Sequence, residues 1–171
     1  GIKYLWQTAV KAEKPLIICF GIGTNIGGHE RGGCLGEYLE SRGNYSGVCA
    51  VAACGNEANA GHHYRSGLLR SGQDVEVELR TGSDDGFTIE LWGDAPNLYA
   101  IGIISPSGEY SGKTTAKLGE QHRIRFVLEK TVVDIDYLIT AYESGDECVR
   151  LRFSSVEPGL WKIRVFNDNR G

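Results

Sequence analysis

Apolar and polar positions alternate differently in the two parts of this chain. In Ile2–Ala12 the apolar residues are Ile2, Leu5, Trp6, Ala9 and Val10, the spacing of one helix face. Pro15 closes that helix. Leu16-Ile17-Ile18-Cys19-Phe20 is an unbroken apolar run, which predicts a strand covered on both faces. A glycine-rich loop follows from Gly21 to Gly33. Leu35–Arg42 then places Leu35, Tyr38 and Leu39 on one helix face, and Gly43-Asn44 ends it. Gly47–Cys54 is a second buried-strand pattern. Strand, helix and strand in this order predict a right-handed crossover and parallel strands.

From about residue 66 the period changes to two. Val75, Val77 and Leu79 alternate with charged residues, as do Phe87, Ile89 and Leu91. Leu98–Ser105, Ile124–Leu128, Val133–Ala141, Cys148–Phe153 and Leu160–Phe166 continue the series, with a weaker strand at Lys113–Leu118. About eight short strands separated by Gly, Pro, Asp and Ser predict an antiparallel β-sandwich or jelly roll. The expected fold class is therefore α+β: a partial α/β segment over 1–65, a hinge near Ser66–Gly72, and a sandwich over 66–171.

Composition adds bounds. The chain has 171 residues, is 41% hydrophobic and carries a formal net charge of -4, so it has no basic footprint for nucleic acid. No apolar stretch approaches the roughly 20 residues of a membrane-spanning helix. No signal-peptide pattern opens it, and the absence of Met, even at position 1, leads us to expect a piece of a longer protein. No nucleic-acid, membrane or cofactor partner is expected. Cys19, Cys49 and Cys54 lie in apolar runs and are expected to be buried reduced thiols; the five cysteines contain no CxxC pair and lack the spacing of a zinc site.

Candidate chemistry gathers around Val51-Ala52-Ala53-Cys54-Gly55-Asn56-Glu57, at the end of a predicted buried strand, where parallel sheets bind ligands. An Asn there can aim its amide N–H at developing negative charge. Adjacent His62 and His63 point to opposite faces of an extended chain and suit the surface better than a metal. His29-Glu30 has no second His at zincin spacing, and Ser107–Thr114 lacks the first glycine of a phosphate loop. The acidic residues Asp84, Asp85, Asp134, Asp136, Asp146 and Glu147 fit solvated turns and strand faces. Trp92 and Trp161 are expected in the core.

The string around Asn56 resembles the AAGNE motif of the subtilisin-like serine proteases. Phe20-Gly21-Ile22-Gly23-Thr24-Asn25 lies one strand earlier, where that family carries its SLG-type segment. GTNIGGHERGG and GNEANAGHHY are similar to the Csp-type spore-germination subtilases of clostridia, in which a jelly roll is inserted between the oxyanion Asn and the catalytic Ser. The resemblance implies Asn56 as oxyanion donor, Ala53, Cys54 and Gly55 as pocket lining, and Gly21, Ile22 and Gly23 as the substrate-pairing strand. Cys54 for Ala and Gly-Ile-Gly for Ser-Leu-Gly depart from the family pattern and bear on pocket size.

The D-[TS]-G, H-G-T and G-T-S contexts of the triad do not occur in these residues. The resemblance thus implies an endopeptidase parent, with a protein or peptide as substrate and the remainder of the protease domain as partner. The chain alone is expected to be inactive and to self-associate through exposed sheet edges. A pseudoprotease sensor or scaffold in germination, and a sandwich that binds a ligand or partner, are the alternative readings.

Overall fold

The computed structural model describes residues 1–28, 34–57, 59–117, 120–139 and 145–168. It divides into two compact units, Gly1–His63 and Tyr64–Gly171. Most of it is antiparallel sheet, with two helices and a small parallel sheet.

The first unit runs α1 (Ile2–Lys11), β1 (Leu16–Phe20), α2 (Cys34–Gly43) and β2 (Val48–Ala52). β1 and β2 pair in parallel, with Leu16 opposite Val48 and Phe20 opposite Ala52. The helices pack on the strands, α1 on β1 and α2 on β2. Partial burial falls on Leu16, Ile18, Phe20 and Val48, which share one face. The other face carries Ile17, Cys19, Cys49 and Val51, all exposed. This corrects the expectation of strands covered on both faces and of buried thiols at Cys19, Cys49 and Cys54, all of which are exposed. The physical reason is that a two-stranded sheet with both helices directed to one side leaves its second apolar face in water. Arg42 near the end of α2 ties the helices together. Its guanidinium lies 4.6 Å from the Trp6 ring and 5.1 Å from that of Tyr38.

The second unit contains β3 (Asp74–Thr81), β4 (Asp84–Gly93), β5 (Tyr99–Ile104), β6 (Tyr110–Thr114), β7 (Gln121–Arg125), β8 (Val132–Leu138), β9 (Glu147–Val156) and β10 (Gly159–Asn167). They form two four-stranded sheets, ordered β3-β10-β5-β6 and β4-β9-β8-β7. Alternation sends Val77, Ile103 and Ile163 inward from one sheet and Val133, Ile135, Leu151 and Phe153 inward from the other. The outer faces carry cross-strand ion pairs, including Lys162–Glu76 and Arg164–Asp74, both at 2.7 Å. Such exposed pairs keep the faces polar and contribute little stability.

The incoming and outgoing strands of this unit are neighbours. Gly72 N–H donates to Asn167 O at 2.8 Å, Asn167 N–H to Gln73 O at 3.0 Å, and the Asn167 amide to Leu69 O at 2.8 Å.

Three assignments are corrected. Asp136, expected to be solvated, is buried on β8 and pairs with Arg152 at 2.7 Å. Trp92 is 37% exposed and donates to Glu90 at 3.2 Å. Since Leu91 faces the core, the next residue on a strand must face out. Glu147 is only 2% exposed, because β9 places it on the inner face in line with Val149, Leu151 and Phe153. One carboxylate oxygen accepts the Tyr99 N–H at 2.7 Å, and the other has no hydrogen-bond partner among the described residues. Burial pushes this acid up to about 7.

The pH consequence has a definite sign. Below the ordinary glutamate range the carboxyl is protonated in both folded and unfolded chains. As pH rises toward 7 the unfolded chain ionises first, so the folded state holds the extra proton and stability falls. The loss accumulates to at most about 3 kcal/mol and levels off above about pH 7. Glu147→Gln removes this slope, as the difference between wild-type and variant unfolding curves at pH 4.5 and pH 8 will show. Equal pH dependence in both proteins would contradict the assignment.

Candidate active site

The parallel ladder of β1 and β2 ends at Phe20 and Ala52, with one further bond from Ala53 N–H to Phe20 O at 3.0 Å. Two loops leave that edge side by side. The first carries Gly21, Ile22 and Gly23, and the second Ala53, Cys54, Gly55 and Asn56. All seven residues are exposed. The carboxyl edge of parallel strands is where open α/β sheets place ligands, since loops and unpaired main-chain groups converge there. Gly55 adopts φ +91, a left-handed conformation that glycine takes without strain. This turn separates Cys54 from Asn56.

Main-chain groups of Gly21–Gly23 belong to no ladder, so an extended peptide could pair with them. The Asn56 amide is an exposed donor. Cys54 presents a thiol at this edge in place of the buried one expected.

Three residues join the loops in a way that spacing did not reveal. Glu57, next to Asn56, accepts the Asn25 amide at 2.9 Å and the His62 Nδ1 at 2.8 Å, both on the same carboxylate oxygen. The His62 bond, then the Asn25 bond, hold the Glu57 carboxyl below its usual range. Thr24 Oγ1 also accepts the Ile26 N–H at 3.0 Å, tightening the first loop. Asn25 and Glu57 lie 32 positions apart. Only the adjacency of two parallel strands brings them together. His62 is a surface residue, as expected, but it has a defined partner. His29 and Glu30 lie outside the described residues. Among the described residues no three His, Cys, Asp or Glu side chains gather as a metal site.

A cleft of about 530 Å³ lies at the opposite, amino edge of the strands, between Trp6, Pro15, Leu16, Tyr45 and Val48. Another, of about 450 Å³, lies along Tyr64–Val75 of the second unit. Neither is lined by the seven residues of the carboxyl edge.

No protein-family model and no curated protein matches the chain in sequence. In structure it is similar to the CspB protease of Clostridium perfringens, with a TM-score of 0.82 and 20% identity. The match covers 100% of this chain and 37% of that one, so this chain spans little more than a third of its neighbour. The two share a fold over both units.

Proposed function

We propose that this chain is one wall of the active site of a subtilisin-like serine endopeptidase, followed along the chain by an inserted jelly-roll-type sandwich. The observation that carries the reading is the placement of Asn56. It follows β2 at the carboxyl edge, beside the loop that leaves β1, in a chain that shares its fold with a protease. In this reading the Asn56 amide donates to the oxyanion formed when a serine attacks the scissile carbonyl. Main-chain groups of Gly21–Gly23 pair with the extended substrate, and Ala53, Cys54 and Gly55 wall the pocket for the residue before the cut.

Asp, His and Ser come from the remainder of the protease domain. That remainder also covers the bare face of Ile17, Cys19, Cys49 and Val51, because parallel sheets are buried on both faces. The sandwich fits the role of an insertion. Its first and last strands are neighbours, as are its second and penultimate, the nesting by which a jelly roll wraps. Its inner four strands instead close as the local hairpins β5–β6 and β7–β8.

The test is labelling with a fluorophosphonate, which captures an activated serine. The parent protein is expected to label at one serine outside this chain, and the 171-residue chain alone is expected not to label. A folded parent that fails to label would overturn the endopeptidase reading and favour a pseudoprotease.

A further inference from the structure

The loop that carries Asn56 has little packing to hold it. Among the described residues a Cβ added at Gly55 would meet nothing within 4 Å, Asn56 and Glu57 are exposed, and Gly55 itself sits at φ +91. An oxyanion donor nevertheless has to be fixed within about 0.5 Å of its working place. Polar anchoring is what remains, and Glu57 supplies it. Its side chain reaches the neighbouring loop through Asn25 and the following chain through His62. Its own main-chain carbonyl accepts the Ala60 N–H at 2.8 Å. The same residue is thus held at the side chain from two directions and at the backbone from a third.

We infer that Asn25 and His62 are positioning residues that clamp Glu57 and thereby set the direction of the Asn56 amide. The inference rests on the oxyanion reading of Asn56. The chemistry of the clamp is specific. Glu57 accepts twice on one side-chain oxygen, Asn25 must present its amide N–H, and His62 must carry its proton on Nδ1, leaving Nε2 to face away from Glu57.

The experiment is a double-mutant cycle in the parent protein, with a solution measurement on this chain beside it. Asn25→Ala and His62→Ala are each expected to lower kcat about 10-fold with KM nearly unchanged, because only the transition state needs the oriented amide. In an Asn56→Ala background the same changes are expected to cost less than about 2-fold, since they act through a group already removed. Glu57→Gln keeps an acceptor oxygen and is expected to retain more turnover than Glu57→Ala.

In the 171-residue chain, nitrogen NMR is expected to show His62 protonated on Nδ1 and to lose that preference in Glu57→Ala. Equal losses in both backgrounds, no loss in either, or a His62 proton on Nε2 would overturn the clamp. If Asn56→Ala alone changed nothing while the NMR signature stayed, the oxyanion reading would be the one at fault, and the clamp would lose its object with it.

Discussion

If Asn56 is the proposed oxyanion donor, replacing it by Ala in the parent protein is expected to lower kcat by about 10²–10³ with little change in KM. The size follows from where the charge is. A carbonyl oxygen in the ground state carries partial charge and is served adequately by one main-chain donor. In the tetrahedral state it carries close to a full charge, and losing a pre-aimed N–H leaves it short of a partner in a site that excludes water. On the proposed reading, binding of the intact peptide depends on ladder bonds to Gly21–Gly23 and on the pocket, which the substitution leaves in place. The loss therefore appears in kcat, the pattern of an interaction made only in the transition state. Asn56 is exposed, so unfolding of the variant is expected to coincide with wild type. Asn56→Asp separates charge from shape: it is nearly isosteric but offers no N–H when ionised and repels the oxyanion, so it should be at least as damaging as Ala. A variant with normal turnover would remove the oxyanion role.

Much of the first unit was legible because its signals are local. An unbroken apolar run bounded by Pro15 and Gly21 fixes β1 to the residue, and the parallel pairing with β2 agrees with the strand, helix, strand order. The predicted second strand ran two residues too far, to Cys54. The ladder stops at Ala52 with one trailing bond from Ala53, and the backbone turns away at Gly55. Burial was the larger miss. Apolarity reports that a strand wants cover, and it does not report whether the cover lies within the same 171 residues.

In the sandwich, strands with clean alternation emerged near their true places, while β6 and β7 shifted. β6 is Tyr110–Thr114, with little apolar pattern to mark it. What holds it is polar and tertiary. Ser111 accepts the Ile103 N–H at 2.9 Å, Thr114 donates to Ile101 O at 3.0 Å, and the Tyr110 ring lies where a Cβ on Gly102 would sit. β7 was expected at Ile124–Leu128. The strand ends at Arg125, Phe126 turns into the core, and Val127 and Leu128 stand exposed in the turn. The end of the expected Val133–Ala141 strand lies outside the described residues. At the candidate site, the motif singled out Asn56, and the structure places that residue just after β2. The partners of Glu57 depended on which loops become neighbours, a property of topology that spacing does not encode.

Trp161→Ala is expected to cost about 3–5 kcal/mol, a large fraction of the roughly 5–15 kcal/mol that keeps a domain folded. Trp161 is fully buried on β10 and meets the opposite sheet through Phe153, with ring centres 5.6 Å apart at 83°. Phe153 in turn stacks on Phe87 at 4.9 Å, and Phe126 meets Trp161 edge-on at 5.0 Å. Four aromatic rings thus bridge the two layers, and removing the central one leaves a void that neither sheet can close without breaking its ladders. The indole N–H also donates to Glu157 O at 3.2 Å, holding the turn between β9 and β10, so Ala forfeits a hydrogen bond as well as packing. Trp161→Phe keeps much of the volume but not the N–H, and should fall between. Denaturant unfolding followed by fluorescence-independent circular dichroism measures the series. The expected order of stability is wild type, Phe, Ala, with the Ala variant near or past its midpoint at 37 °C. An Ala variant within about 1 kcal/mol of wild type would mean that the aromatic bridge does not hold the sheets together.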